Sequence, residues 1–373
     1  MKRLIESYIK KDISRKIILL SGPRQVGKTT LSKMISDDFD YFNYDLASDR
    51  VALIEKSWNR KKDLVIFDEL HKMKNWKSWI KGVYDTEKRP PHFLVAGSAR
   101  LDTIRKVGDS LAGRFFRFRL HPVDVKEALS VCDPAEALER IIRTGGFPEP
   151  FIENDSVFYK RWKKTHLDII LRQDLIDLES VSDIKSIETL IELLRKRVGS
   201  PVSYTNLSND LQKDPKTIKR WLTILENLFV VFPVTPWHDN IARAILKEPK
   251  YYFFDTGQVI GDEGVVFENA VACALLKEIH FKEDVFGTEA RLHFIKDKEK
   301  REIDFAIYQD GKITHLIETK LSDDNFSRSF SAFEKYFEDV NKIQLVKNIS
   351  REKTSMSGIE ALNAAEYLAH FEL

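Results

Sequence analysis

The chain has 373 residues, with 60 Lys and Arg against 58 Asp and Glu, a formal net charge of +2. That length suits two or three domains, and 43% hydrophobic with 32% charged residues marks a globular chain rather than a disordered or membrane-spanning one. The balance excludes nucleic-acid binding by bulk charge, so any such contact has to come from local basic patches.

Cys132 and Cys273 are the only cysteines, too few for a disulfide framework or a cysteine metal site, which points to a reducing compartment. Met1–Lys11 alternates apolar with charged residues and reads as an amphipathic helix (Leu4, Ile5, Tyr8, Ile9), not a signal peptide. Apolar runs such as Leu228–Val234 are far short of a membrane span, so no membrane partner and a cytoplasmic location are expected.

The first 120 residues alternate strand and helix patterns. Strands are expected at Lys16–Ser21, Tyr41–Asp45, Leu64–Asp68, Phe93–Gly97 and Phe115–Leu120, with helices at Thr29–Ser36 and Trp76–Asp85. Such alternation predicts an α/β fold with a mostly parallel sheet covered on both faces. Helices follow at Ala135–Thr144 and Ser156–Ser180, separated by Gly145-Gly-Phe-Pro148. A helical unit comes next (Ser186–Val198, Thr205–Gln212, Pro215–Leu225), then strands Phe229–Val234 and Tyr251–Asp255. The last part reads as helix Val265–Ile279, strands Leu292–Ile295, Ile303–Tyr308 and Ile313–Thr319, helix Arg328–Val340 and strand Ile343–Val346. Three domains are expected, at 1–150, 151–260 and 261–373.

Gly22-Pro23-Arg24-Gln25-Val26-Gly27-Lys28-Thr29 is G-x-x-x-x-G-K-T, set between a strand and a helix. Its backbone N–H groups and the helix N-terminus would face ATP phosphates, and Thr30 extends the loop into the helix. Lys28 would reach the β- and γ-phosphates, and the Thr29 hydroxyl would ligate Mg²⁺. Asp68 at the tip of the apolar strand Leu64–Phe67 would hold the same Mg²⁺, and Glu69 would polarise the attacking water. Ser98 follows the next strand as a candidate γ-phosphate sensor. Arg114 and Arg100 are candidates for charge stabilisation during transfer.

These motifs, together with Phe-Asp-Glu-Leu-His-Lys, Ala-Gly-Ser-Ala-Arg, Ser-Leu-Ala-Gly-Arg and Gly-Gly-Phe-Pro-Glu, resemble the AAA+-type ATPases of bacteria and archaea that carry a C-terminal DUF4143 region. The resemblance spans nearly the whole chain. It implies an ASCE P-loop sheet, in which an extra strand separates the two phosphate-site strands. It also implies a C-terminal part joining a winged helix to a nuclease-like fold. The family often has Gly-Ser-Ser-Ser where this chain has Gly97-Ser98-Ala99-Arg100, so Ser98 matches and the serine after it is absent.

Ser203–Leu211 and Asp214–Leu222 read as two helices joined by a turn, with Asp214 as N-cap and Pro215 at the first helical position. Ile218, Trp221, Leu222 and Leu225 share one face. Lys216, Lys219 and Arg220 share the other, with Lys213 just ahead, and form a candidate DNA-binding face.

Glu268 on a helix, Asp304 on a strand and Glu318-Thr-Lys320 ending the next strand look like the PD-(D/E)XK nuclease pattern. Its carboxylates would bind a second divalent metal, and Lys320 would position water or stabilise charge. A plain two-residue Asp310-Gly311 hairpin would pair Asp304 with Ile317 and put Glu318 on the opposite face, so a shared site requires a bulge or a longer loop.

The leading expectation is an Mg²⁺-dependent ATPase whose nucleotide state controls a DNA-binding, nuclease-like C-terminal half. The alternatives are a nucleotide switch with an inactive protein-docking module, and a nuclease for which ATP is only an effector. Nucleotide, DNA, a partner protein or a second copy of the chain are the expected partners.

Overall fold

The computed structural model describes residues 1–97, 111–175, 183–237, 248–322, 325–337 and 339–373. The N-terminal part is built on five parallel strands: β1 (Ile17–Ser21), β2 (Phe39–Asn43), β3 (Leu64–Asp68), β4 (His92–Gly97) and β5 (Phe115–Arg119). Their order is β2-β3-β4-β1-β5, so β4 separates β1 from β3 as the resemblance implies. β1 and β3 are buried at every position, which suits their unbroken apolar runs.

Alternate residues of these strands feed two cores. Ile18, Leu20, Ile66 and Leu94 pack with Ile5 and Ile9 of the N-terminal helix Glu6–Asp12, and with Phe147, Tyr159 and Trp162. Ile17, Leu19, Val65 and Phe67 pack with Trp58, Trp76 and Ile80 on the other face. Each fully buried side chain of this kind contributes about 1.5–3 kcal/mol over its exposed state.

Helices Pro134–Thr144, Pro148–Glu153 and Ser156–Ile169 follow. The last continues into a π-turn at Ile170–Asp174, and the rest of the helix expected to Ser180 lies outside the described residues. Three further helices, Ile184–Arg195, Tyr204–Leu211 and Pro215–Asn227, lead into an antiparallel pair, β6 (Val231–Pro236) and β7 (Lys250–Phe253). Asp214 caps the third helix through the Lys216 N–H at 2.7 Å, with Pro215 inside the first turn.

The C-terminal part opens with the 24-residue helix Glu263–Phe286, capped by Asp262. It continues through β8 (Ala290–Lys296), β9 (Glu302–Gln309), β10 (Lys312–Ser322), β11 (Asn341–Asn348), β12 (Lys353–Thr354), β13 (Ile359–Asn363) and helix Ala364–His370. These strands join β6 and β7 in one eight-stranded sheet of order β12-β13-β11-β10-β9-β8-β6-β7. Thr235 and Pro236 of β6 pair in parallel with His293 and Phe294 of β8, so the sheet runs through the boundary expected near 260.

The helix expected at Arg328–Val340 is only Ser329–Phe333 plus one 3₁₀ turn. Phe330 and Phe333 are buried whereas Tyr336 is exposed, so only the first turn has a packing surface to hold it. β12, β13 and the final helix were not expected. β13 is five residues long with two apolar side chains turned inward, Ile359 and Ala361, too short a pattern to stand out.

Candidate functional site

β1 delivers the phosphate loop from the C-terminal edge of the sheet, where open α/β sheets bind ligands. Gly22 lies against the Leu120 carbonyl: a Cβ there would sit 2.3 Å from that oxygen. Gly27, at φ 98°, turns the chain into helix Lys28–Lys33 in a conformation suited to glycine. The Lys28 stem is buried, and Nζ donates to the Gly22 and Pro23 carbonyls at 2.9 and 2.7 Å. Those bonds hold the ammonium inside the loop. Arg24, Gln25, Val26 and Thr29 line the turn and the helix start, and the Thr30 side chain is exposed.

Thr29 Oγ1 donates to Asp68 Oδ2 at 2.6 Å, and the Tyr41 hydroxyl donates to the same oxygen at 2.8 Å. A hydroxyl and a carboxylate oxygen in contact at the end of the lysine loop are hard oxygen donors of the kind Mg²⁺ takes. The residues present therefore fit that ion. Glu69 follows in the left-handed region at φ 55°, its N–H donating to the Ala96 carbonyl at 3.0 Å. Burial raises the Glu69 carboxyl above the usual carboxylate range, against the opposing pull of Lys28. A carboxylate whose proton affinity is raised is a stronger base.

Ser98 and Arg100 lie outside the described residues. Arg114 is at the other edge of the sheet: its carbonyl accepts from the N–H of Ile17, where β1 begins, about 13 Å of strand from Ser21. There its guanidinium grips Asp85 at 2.8 and 3.1 Å.

Two groups that no motif announces brace the loop from outside. Arg3 Nη1 donates to the Val26 carbonyl at 3.0 Å while its Nε pairs with buried Glu127 at 2.9 Å. His166 Nε2 meets the Arg24 carbonyl at 3.1 Å, its ring stacked on Trp162 and packed against Phe147. Burial pushes His166 down to about 4, so the ring is neutral at physiological pH and its N–H serves the carbonyl.

Lys216, Lys219 and Arg220 are exposed on the third helix of the helical unit, whose opposite face buries Ile218, Trp221, Leu222 and Leu225. Lys213 is paired with Asp183 at 2.7 Å.

In the C-terminal sheet the required register change is present. Lys312 pairs with Gln309 across the Asp310-Gly311 turn, and a bulge between Ile313 and His315 then sets Ile317 opposite Phe305. Asp304 consequently comes level with the Glu318–Lys320 segment: its Oδ2 accepts from the Thr319 N–H at 2.8 Å and the Thr319 hydroxyl at 2.7 Å. Glu318 Oε1 accepts from Lys320 at 2.9 Å and Ser327 at 3.1 Å, while its Oε2 is buried without a hydrogen-bond partner. Burial and the Asp304 charge push Glu318 up to about 7. Glu268 Oε1 accepts from the buried Tyr252 hydroxyl at 2.6 Å. Glu268 Oε2 faces Gly199, where a Cβ would lie 2.8 Å away.

A residue absent from the motif joins them. Lys250 on β7 is 1% exposed and places Nζ 2.5 Å from Glu302 and 3.4 Å from Glu268. Although burial lowers its proton affinity, Glu268, Asp304 and Glu302 raise it above the ordinary lysine range.

Three successive segments of the chain match known family models. Residues 14–129 match the family model of an AAA domain, 135–260 that of a domain of unknown function (DUF8612), and 263–367 that of another (DUF4143). The chain thus joins an N-terminal segment that matches an AAA domain to a C-terminal segment that matches DUF4143. An uncharacterized protein of Mycobacterium tuberculosis is 28% identical over 250 residues, 65% of this chain and 54% of that protein. The chain thus spans about half the length of that relative. An uncharacterized protein of Methanocaldococcus jannaschii is 25% identical over 366 residues, 88% of this chain and 80% of its own. Among solved structures, a signal transduction ATPase with a tetratricopeptide repeat sensor from Pyrococcus horikoshii has 12% identity and a TM-score of 0.25 over 75% of this chain and 46% of its own. A DNA polymerase III gamma subunit-related protein from Thermotoga maritima has 12% identity and a TM-score of 0.26, over 60% and 77%.

One helix touches both the AAA and the DUF4143 chemistry. Glu263–Phe286 carries Glu268 near its start and Glu283 and Asp284 in its last turn, about 24 Å further on. Asp284 holds Arg119 of β5 at 2.9 and 2.7 Å, and Glu283 adds a contact at 2.5 Å. Arg119 is the register partner of Ser21, the residue that precedes the phosphate loop. Alongside, His121 meets His280 at 2.8 Å, and Lys277 pairs with Glu127 at 2.6 Å. Among the described residues no helix is long and apolar enough to cross a membrane.

Proposed function

We propose that the chain is an Mg²⁺-dependent ATPase whose nucleotide state controls a DNA-binding, nuclease-like C-terminal half. Lys28 and the loop N–H groups hold the phosphates of ATP, and Thr29 and Asp68 hold the ion. Bound Mg²⁺ neutralises charge on the phosphates. Glu69 orients a water and takes its proton, helped by its raised proton affinity. Arg114, at the opposite edge of the sheet with its guanidinium on Asp85, does not serve its own phosphate loop in this arrangement.

The observation that carries the control is helix Glu263–Phe286, whose last turn grips the strand beside the phosphate loop and whose first turns reach the carboxylate cluster. A rigid element with a polar anchor at each end suits the transfer of a small displacement. In the helical unit, three helices followed by the β6–β7 hairpin have the order of a winged helix, and the exposed Lys216, Lys219 and Arg220 supply a DNA-facing surface. The helix, three strands, helix and strand from Glu263 to Asn348 follow the order of the nuclease-like fold.

Phosphate release measured with and without duplex DNA tests this reading. Wild type is expected to be stimulated, Lys28→Ala to be inactive, and Asp284→Asn to keep basal turnover but lose stimulation. Equal stimulation of wild type and Asp284→Asn would refute the relay. A second reading, a switch whose C-terminal half docks without cutting, is favoured by the position of Lys250.

A further inference from the structure

We infer that the nuclease-like half carries its own cation: the Lys250 ammonium stands where a divalent metal would sit among the carboxylates, and this half binds nucleic acid without cutting it. The inference rests on the proposed nuclease-like reading of the fold and settles how that site is used.

Three observations converge on it. First, one oxygen of each carboxylate is engaged inside the protein: Asp304 Oδ2 by the Thr319 N–H and hydroxyl, Glu318 Oε1 by Lys320 and Ser327, and Glu268 Oε1 by Tyr252 and Lys250, while Glu318 Oε2 is buried without a hydrogen-bond partner. Among the described residues, no three His, Cys, Asp or Glu side chains are arranged to hold an ion. Second, the lysine is buried where a solvated surface lysine would not be, with Nζ between Glu302 and Glu268. A buried ammonium is tolerable only when carboxylates surround it, and those carboxylates are equally costly without a cation. Third, the strand that brings Lys250 is fixed. The backbone N–H and carbonyl of Phe253 bond the fully buried Asn269 side chain at 2.8 and 2.9 Å, and Tyr252 is fully buried. β7 is therefore stitched to the helix that bears Glu268, and the lysine is a permanent part of the cluster rather than a removable plug.

The cation also crosses a boundary. Lys250 belongs to the segment matching DUF8612, while Glu268, Asp304 and Glu318 belong to DUF4143. Neutralising the cluster thus ties the two segments together, as the shared eight-stranded sheet does mechanically.

Mn²⁺ titration of the full chain without nucleotide, followed by the electron spin resonance of free Mn²⁺, tests the inference. Wild type is expected to show no Mn²⁺ binding that Asp304→Ala removes, and no Mn²⁺-dependent cleavage of duplex or single-stranded DNA. Lys250→Met keeps the stem and removes the charge. It is expected to bind Mn²⁺ at least ten-fold more tightly than wild type, to lose that gain when Asp304→Ala is added, and to regain lost thermal stability in Mn²⁺. Mn²⁺ binding or cleavage by wild type that disappears in Asp304→Ala would overturn the inference. A folded Lys250→Met that gains no Mn²⁺ affinity would overturn it too. If Lys250→Met does not fold, the comparison of wild type with Asp304→Ala still decides. ATP turnover on the same preparations reads the nucleotide reading separately, since it depends on Lys28 and Glu69 and not on this cluster.

Discussion

The chain contains two lysine–carboxylate centres at strand ends, and they differ in what the lysine touches. In the AAA domain, Lys28 is held by the carbonyls of Gly22 and Pro23, while Asp68 accepts from the Thr29 and Tyr41 hydroxyls. In the DUF4143 domain, Lys250 and Lys320 bond directly to Glu302, Glu268 and Glu318. In the first centre carbonyls and hydroxyls are the hydrogen-bond partners that position the lysine and the aspartate. In the second the lysines and carboxylates are paired with one another. Residue types alone therefore do not define a site; the sign of each neighbour does.

The sharpest way to break the comparison is to remove each lysine. Lys28→Ala is expected to lower phosphate release by about 10³-fold or more, roughly 4 kcal/mol, because its ammonium is the one held inside the loop by the Gly22 and Pro23 carbonyls. Glu69→Gln should retain nucleotide binding and lose turnover by about 10²–10⁴-fold. The acid limb of the wild-type turnover profile is expected above the usual carboxylate range, since burial raises the Glu69 carboxyl.

Next in size is the bond between the two halves. Arg119 and Asp284 are both buried, so Asp284→Asn is expected to cost about 3 kcal/mol in denaturant-measured stability by leaving the guanidinium poorly compensated. No loss of stability would mean that the helix is not anchored there.

A smaller effect belongs to Glu226, which burial pushes up to about 7, with the Tyr251 hydroxyl donating to it. Its proton affinity is higher folded than unfolded, so its contribution to stability is present at low pH and is lost as pH rises through about 4.5 to 7. Glu226→Gln should flatten that window and stabilise the protein at pH 8 by about 2–3 kcal/mol, with little change at pH 4. An unchanged pH profile would refute the shift.

The least costly change is at the basic helix. Replacing Lys216, Lys219 and Arg220 by alanine should leave stability within about 0.5 kcal/mol and reduce the salt slope of DNA binding by about 3. An unaltered slope would place the DNA contact elsewhere.

The phosphate loop was legible in the sequence because its geometry is local: glycines, lysine and threonine are contiguous, and Asp68 ends an unmistakable buried strand. The C-terminal register was legible only as a requirement. The bulge at Ile313–His315 leaves no mark in a pattern of alternating side chains. Lys250 was not legible at all. In Glu-Pro-Lys-Tyr-Tyr it reads as a loop lysine, and its role depends on β7 pairing with β6 and packing on a helix whose Glu268 is 18 residues further along. Arg3, His166 and the Arg119–Asp284 pair were missed for the same reason: their partners lie 23 to 165 residues away. The helix expected to stop at Ile279 runs to Phe286, and that extra length is the part that reaches β5.

DNA affinity of the Glu69→Gln chain, measured with and without ATP and Mg²⁺, tests the central claim most directly, because coupling between two bound ligands is reciprocal. The account predicts a shift of about 5- to 100-fold on adding nucleotide, abolished when Asp284→Asn is combined with Glu69→Gln. DNA affinity that is the same with and without nucleotide would contradict it.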